Sequence, residues 1–360
     1  MNIMENESLQ SETMRFLRFP LILGVTLIHL RFFYPLDVAQ DGNSPICVFL
    51  FYLFTNFFSR IAVPLFFFIS GFLFFYRVDS FTGHTYLQKL KKRVSTLLVP
   101  YLFWNLALVV FYFLLQSFIP ELYSGGSKLV RDYTIFDWLG VFWNINIVDH
   151  KSGSPIVYQF WFIRDLMGVM LLSPFIYWVI KKLYWYLLVF LGILWILNCW
   201  FDMSGFSLTA YFFFSFGAYF SVHKKNFVEV MRPLLLLAGV LYALDAIVAF
   251  SFREYVWCDY LYRIGYPFGI VLAISSVAYL IDKRGYRANL FLSDSSFFIY
   301  AYHGISLAFI VKIVSRFSTC VDSIVLALCA FCLVIFIGLF LYYLLRKYFP
   351  IFTNIITGGR

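Results

Sequence analysis

Ten predominantly apolar stretches follow one another along the 360-residue chain, and short polar segments separate most of them. A helix that crosses the hydrocarbon core of a bilayer needs about 20 such residues, so each stretch predicts a membrane-spanning helix. The sequence therefore predicts an all-α, polytopic membrane protein with about ten transmembrane helices in a single domain. The predicted spans are 16–34, 58–77, 96–117, 158–180, 183–201, 206–222, 233–252, 262–281, 297–316 and 322–345.

Two segments outside this regular pattern carry predictions of their own. Residues 46–58 are apolar but too short for a further span, and Ser59 and Arg60 follow them, so we expect an interfacial or re-entrant helix that leads into the second span. Residues 118–157 form the only long connection and are rich in aromatic side chains. A connection of this length is usually functional or disordered. Its aromatic content favours packing on the membrane surface or around a ligand.

Composition supports a membrane protein and excludes a soluble globule. The chain is 62% hydrophobic and only 13% charged, whereas soluble domains are about 45–50% apolar and about 25% charged. The first 18 residues are polar and no small-residue cleavage site follows the first apolar run, so we expect the first span to remain as an anchor.

The basic residues predict the orientation in the membrane. With the N-terminus inside, the inner segments hold 18 of the 28 lysines and arginines, as the positive-inside rule requires. Both termini are then cytoplasmic, and residues 118–157 lie outside. The formal charge of +9 is explained by this distribution, so we do not expect nucleic-acid binding.

Arg18 and His29 are the first candidates for chemistry because a charged group inside a bilayer costs several kcal/mol and is a functional-site candidate by default. They are eleven residues apart, about three helical turns, so they share one helix face roughly 16 Å apart. Arg18 is then at the inner interface and His29 near mid-membrane. A snorkelling arginine and a histidine that only packs against a neighbouring helix remain an equally good interpretation.

Four further ionisable residues inside predicted spans are candidates for a site. Arg164 and Asp165 are adjacent and point about 100° apart on a helix, so we expect each to have a partner elsewhere, as structural contacts or in a polar cavity. Asp245 stands alone in its span and needs a partner or a proton. His303 is within reach of a shared site, although a packing role is at least as plausible.

Lys91, Lys92 and Arg93 form a basic cluster just before the third span. The cluster is either an orientation determinant or a phosphate site at a helix start, where the helix dipole and the side chains both favour anions. The five histidines and six cysteines lack metal-ligand spacing, so no metal site is expected.

The arginine, ten intervening residues and histidine of the first span resemble the signature of the acyltransferase 3 family, bacterial integral-membrane O-acyltransferases. The resemblance extends over nearly the whole chain, because several further stretches are similar to that family in order. These are RIAVPLFFFISGFLFF (60–75), KKRVSTLLVPYLFWN (91–105), FWFIRDLMGVMLLSP (160–174), FFFSFGAYF (212–220) and SFFIYAYHGI (296–305).

This resemblance implies transfer of an acyl group, commonly acetyl from acetyl-CoA, to hydroxyls of extracytoplasmic or lipid-linked glycans. Acetyl-CoA is then a co-substrate of an enzyme without a bound cofactor, in the inner membrane of the cell envelope. His29 and Arg18 match the family's essential pair. Ser70 and Gly71 match its SGF element, and Arg93 matches the basic residue before span three, where Lys91 and Lys92 suit the CoA phosphates.

One stretch departs from the family pattern. Many members carry an acidic E-E-x-F-Y element where this chain has WFIRDL (161–166), which puts an acidic catalytic role for this segment in doubt. Two functions of other classes also fit the polar groups: a non-catalytic glycan exporter that uses His29 for proton coupling, and a scaffold of a polysaccharide-synthesis complex. An exporter would not consume acetyl-CoA, and a scaffold would tolerate His29→Ala.

Overall fold

The computed structural model describes residues 3–31, 44–120, 128–146, 153–314, 316 and 322–359, and every regular element in these ranges is helical. The α-helices, in chain order, are α1 Ile3–Leu30, α2 Pro45–Tyr52, α3 Ala62–Phe75, α4 Gly83–Arg93, α5 Val99–Phe118, α6 Ile135–Phe142, α7 Trp161–Leu171, α8 Ser173–Leu183, α9 Tyr186–Ile196, α10 Leu208–Val222, α11 Phe227–Met231, α12 Leu235–Ser251, α13 Cys258–Arg284, α14 Leu290–Val314, α15 Ser323–Tyr348 and α16 Pro350–Thr357.

The helices confirm the predicted polytopic all-α architecture. Among the described residues, seven helical segments are long and apolar enough to cross a membrane. An eighth crossing is formed if α7 and α8 act together, because they meet at a bend of 65°. The remaining two predicted spans correspond to shorter apolar helices, α9 with 11 residues and α10 with 15 residues. About ten spans is therefore slightly more than the seven or eight long segments, and it is compatible with them.

The expectation of a separate interfacial or re-entrant helix over residues 46–58 was wrong. Pro45–Phe75 is one helical segment of 31 residues. α2 continues through a π-helical turn (Leu53–Phe57) and a 3₁₀ turn (Phe58–Ile61) into α3. The polar residues do not interrupt the helix, because the hydroxyl of Ser59 donates to the carbonyl of Thr55 at 2.8 Å, within the helix itself.

The described part of the long connection contains a 3₁₀ turn, Val130–Asp132, and the short helix α6. α6 begins with a capping box formed by Thr134 and Asp137. The contacts of Lys128 and Thr134 lower the pKa of Asp137 to about 2. Residues 121–127 and 147–152 of this connection lie outside the described residues.

Two ends of the helical bundle can be distinguished by contacts around α1. Near its start, Gln10 accepts a hydrogen bond from the backbone amide of Phe227 at 3.1 Å, and Glu12 accepts one from Ala288 at 2.8 Å. The starts of α1, α11 and α14 therefore meet at one end, which we call the N-terminal end. α10 ends at Val222, five residues before the start of α11, and is 15 residues long, about 22 Å. Its start and the α9–α10 connection (197–207) therefore lie at the opposite end.

Candidate active site

Two histidines from distant parts of the chain meet inside the bundle. His29 is in the last turn of α1, and His303 is in the middle of α14. Their ring centroids are 5.2 Å apart with a tilt of 35°. Both side chains are buried, with 8% of His29 and 0% of His303 exposed. His303 is therefore within reach of the first-span histidine, as expected, and its role in a shared site stays a prediction.

The hydrogen bonding of His303 defines which ring nitrogen can accept a proton. Its Nδ1 lies 3.2 Å from the backbone carbonyl oxygen of Ile299, one turn earlier on α14. A carbonyl can only accept, so Nδ1 carries the hydrogen and Nε2 of the neutral ring keeps its lone pair. Nε2 is buried and has no hydrogen-bond partner among the described residues.

A short segment before α7 holds an aromatic ring against His29. The edge of the Tyr158 ring packs on His29, with centroids 4.9 Å apart at 74°. The next residue fixes this segment to α14, because Gln159 Nε2 donates to the carbonyl oxygens of Tyr300 (3.3 Å) and Ala301 (3.1 Å). The hydroxyl of Tyr300 donates in return to the Gln159 carbonyl at 2.5 Å.

The sequence reasoning missed Tyr158 and Gln159. The available signal was a glutamine at the start of an otherwise apolar run, YQFWFI (158–163). A buried amide must be hydrogen-bonded, and Gln159 is only 2% exposed. Gln159 packs tightly against α14, since a Cβ added at Gly304 would overlap the side-chain amide of Gln159.

A cavity of about 190 Å³, which we call the Arg18 cavity, lies between the N-terminal end and the histidines. Most of its lining is apolar, from α1, α3, α7 and α14. The polar side chains in its wall are Arg18, Ser70, Arg93, Ser293, Ser296 and Tyr300. Three residues named from the sequence, Arg18, Ser70 and Arg93, are thus brought together.

The electrostatic character of the Arg18 cavity is positive. Neither Arg18 nor Arg93 makes an ion pair or hydrogen bond with a residue that the structure describes. The carboxylate of Asp294 attracts Arg18 electrostatically, but this carboxylate is already paired with Arg346. The hydroxyl oxygen of Ser293 is also buried without a hydrogen-bond partner in the described ranges. Such a set of donors suits an anionic ligand.

The other two members of the basic cluster lie elsewhere. Lys91 and Lys92 are exposed and do not line the cavity. The expectation of a helix start at this cluster was wrong, because α4 ends at Arg93 and continues through a π-helical turn, Val94–Leu98, into α5. The amides there are used within the helix, so only side-chain charge attracts an anion.

The Arg18 cavity ends about one helical turn before the histidine pair. Val25 and Tyr300 line it. His29 follows Val25 by four residues on α1, and His303 follows Tyr300 by three residues on α14. These spacings correspond to about 6 Å and about 4.5 Å along a helix. The inner end of the cavity is therefore about one helical turn from the two imidazoles.

Arg164 and Asp165 pair with each other, which the sequence did not predict, although Arg164 also has the expected partners elsewhere and both residues line a cavity. The Arg164 side chain folds back so that Nε lies 2.9 Å from Asp165 Oδ1, although the two Cα–Cβ bonds diverge. Arg164 Nη1 also donates to the carbonyls of Trp143 (2.6 Å) and Gly153 (2.7 Å). The pair therefore anchors the end of the long connection to α7.

Asp245 lines neither the Arg18 cavity nor the second cavity described below. It lies on α12 against Gly265 of α13, where a Cβ would overlap its carboxylate. Its Oδ2 is buried and has no hydrogen-bond partner among the described residues. This position supports a packing role between α12 and α13 rather than a contact in the histidine site.

The fold and the site define a polytopic helical membrane protein with a histidine pair beside an arginine-lined cavity. Residues 12–343 match the family model described as an acyltransferase domain, Acyl_transf_3. The chain therefore belongs to the acyltransferase 3 family and is a membrane acyltransferase. No match to the chain was found among curated proteins or among solved structures.

Proposed function

We propose that the protein transfers an acyl group, acetyl in the first instance, from acyl-CoA to a hydroxyl of a cell-surface or lipid-linked glycan. The observation that carries the proposal is the Arg18 cavity, which places two guanidinium groups in one apolar space whose inner end lies about one helical turn from the histidine pair. The N-terminal end faces the cytoplasm in this proposal, and the membrane is the inner membrane.

The donor enters from the cytoplasmic side. CoA carries several phosphates, so Arg18 and Arg93 hold these at the mouth by charge-assisted hydrogen bonds. The apolar lining receives the uncharged arm with its thioester. Lys91 and Lys92, which are exposed, raise the local concentration of the anionic donor without touching the bound arm.

His29 is the general base. Its imidazole removes the proton from the acceptor hydroxyl as the hydroxyl oxygen bonds to the thioester carbonyl carbon. The carbon–sulfur bond then breaks, and the CoA thiolate takes up the proton that His29 removed. All bonds and protons of the reaction are accounted for without a covalent acyl-enzyme intermediate.

His303 and Tyr158 position the base. The two rings contact His29 from different elements, at centroid distances of 5.2 Å and 4.9 Å. Nε2 of His303 carries a lone pair, is buried, and has no hydrogen-bond donor among the described residues. It can therefore stabilise the imidazolium that forms at His29 during the reaction, which a purely apolar neighbour could not do.

The experiment measures transfer of labelled acetyl groups from acetyl-CoA to host envelope glycans by the purified protein in lipid nanodiscs. His29→Ala should lower the transfer rate by about 10²–10⁴-fold, the usual contribution of one general base. Acetyl-CoA binding, measured by calorimetry, should be retained. His303→Ala should lower the rate less and leave acetyl-CoA binding intact.

His84→Ala is the matched control, since His84 is an exposed histidine on α4. It should behave as wild type. Near-wild-type transfer by correctly inserted His29→Ala would show that the imidazole only packs. A wild-type protein that consumes no acetyl-CoA would favour the exporter, and normal polysaccharide synthesis by cells with His29→Ala would favour the scaffold.

A further inference from the structure

A second, larger cavity lies at the end of the bundle opposite to Arg18. Its volume is about 560 Å³, within the roughly 300–1,000 Å³ of typical small-molecule sites. The α9–α10 connection and the starts of α7, α10 and α13 surround it. We call it the tryptophan cavity because Trp161, Trp195 and Trp200 line it. The proposed mechanism of acyl transfer does not use these residues.

Hydrogen bonds orient two of the three tryptophan rings. Trp200 Nε1 donates to the carbonyl of Phe206 at 2.8 Å, and Trp195 Nε1 donates to the hydroxyl of Thr209 at 3.0 Å. Trp195 is buried, and Phe201 stacks on one face of the Trp200 ring with centroids 4.5 Å apart. With its polar atom satisfied, Trp200 offers only ring surface to a ligand. Trp200 is still 36% exposed. An aromatic face carries negative charge density and attracts the weakly positive C–H face of a sugar ring.

The charged residues of this cavity balance each other. Arg164 is paired with Asp165 in its wall. Arg263 donates to the carbonyl of Trp195 (2.6 Å) and to Asn198 Oδ1 (2.9 Å), and Asp202 supplies a carboxylate at the same cavity. Two positive and two negative side chains give no net attraction for an ion. The carboxylate and amide groups instead offer acceptors and donors to hydroxyls.

We propose that the tryptophan cavity binds a neutral hexose unit of the acceptor, with the sugar ring stacked on Trp200 and its hydroxyls bonded to Asn198 and Asp202. This inference rests on the proposed function, because it assigns the acceptor side of the same reaction. One residue of the cavity wall is close in sequence to a residue that contacts His29. Trp161 in its wall follows Tyr158, which contacts His29, by three residues, about 6 Å of helix.

The test measures sugar binding directly, so it does not depend on acyl transfer. Saturation-transfer NMR on the full-length protein in nanodiscs uses maltotriose and chitotriose as neutral probes and trigalacturonate as an anionic probe. Wild-type protein should give transfer to a neutral probe and not to trigalacturonate. Trp200→Ala should bind the neutral probe about tenfold more weakly, the loss expected for one aromatic contact. Trp200→Phe should restore part of the binding.

Trp178→Ala is the matched control. Trp178 on α8 is also exposed and does not line the cavity. Ser207→Tyr, which fills the cavity from its wall, is a second variant that should abolish binding even if Trp200→Ala does not fold. Equal binding by Trp200→Ala, equal binding of trigalacturonate, or no binding of either neutral probe by wild type would overturn the inference. Calorimetry with acetyl-CoA separates this failure from a failure of the donor site.

Discussion

At the scale of single residues, two arginines from different helices share one apolar cavity. Arg18 and Arg93 line it together, and neither has an ion-pair partner in the described ranges. Burying a guanidinium without a charged partner is unfavourable in the absence of a ligand. An anion that enters the cavity offsets this desolvation at both arginines.

The residue-scale prediction follows from this geometry. Arg18→Gln should weaken acetyl-CoA binding by about tenfold to a hundredfold, the loss of one or two charge-assisted hydrogen bonds. Arg18→Lys should fall between wild type and Arg18→Gln, because lysine keeps the charge but cannot bond to a phosphate through two parallel donors. Calorimetry in nanodiscs measures both affinities.

Arg15→Gln provides the control for this series. Arg15 is one turn earlier on α1, is exposed and pairs with Glu12 at 3.8 Å. It does not line the cavity. If Arg15→Gln and Arg18→Gln weaken acetyl-CoA binding equally, the overall positive charge of the N-terminal end attracts the donor. The proposed contact with Arg18 would then be wrong.

Part of this site could be predicted from the sequence and part could not. Arg18 and His29 were visible because they lie on one helix, where spacing alone defines a shared face. The contact between His29 and His303 joins residues 274 positions apart. No local sequence pattern predicts such a contact. The mutual pairing of Arg164 and Asp165 was missed because a long flexible side chain can fold back against its neighbour.

At the scale of helices, the closest approach is between α3 and α10. A Cβ added at Gly71 would overlap the backbone carbonyl of Phe214, and one added at Gly217 would overlap that of Phe68. The hydroxyl of Ser221 on α10 also donates to the carbonyl of Phe72 at 2.6 Å. Small residues permit such backbone contact between membrane helices. Close helix packing thus explains the glycines of the SGF and FGAYF stretches. Ser70, next to Gly71, lines the Arg18 cavity.

Gly71→Ala tests this explanation. The added methyl group should force α3 and α10 apart and lower the free energy of unfolding by about 1–3 kcal/mol, as overpacking typically does. Thermal unfolding in detergent measures the change. Gly239→Ala on α12 is the control, because its Cβ would meet only Leu272 at 3.6 Å. Alanine is the better helix former there, so equal destabilisation of both variants would contradict the packing explanation.

The length of an apolar stretch predicts that a helix is present better than it predicts where the helix begins and ends. Each of the ten apolar stretches contains a helix within the described residues, because burial of backbone polar groups in lipid requires it. The ends differ, since residues 197–201 and 206–207 are not helical. The polar pair at Ser59 and Arg60 was misleading, since a π turn and a 3₁₀ turn carry the helix through it. The bend between α7 and α8 was not predicted, although Pro174 starts the second helix of the pair.

At the scale of the whole molecule, the Arg18 cavity and the tryptophan cavity lie at different ends of the bundle. Arg18 and Arg93 mark one end, and Trp200 marks the other. A transferase with this layout can take its two substrates from the two sides of a membrane without moving either one across. The chain's own placement of charge fits this arrangement, because most basic residues are expected on the Arg18 side.

This layout makes orientation the decisive whole-molecule prediction: the Arg18 end should face the cytoplasm. In a background without the native cysteines, Ser8→Cys should react with a membrane-impermeant maleimide only after the membrane is permeabilised, and Asp132→Cys should react in intact cells. Both positions are exposed. Labelling of Ser8→Cys from outside would place the Arg18 cavity away from cytoplasmic acyl-CoA. The donor assignment would then fail even if every variant in the cavity weakened anion binding, because the anion would have to come from the other side.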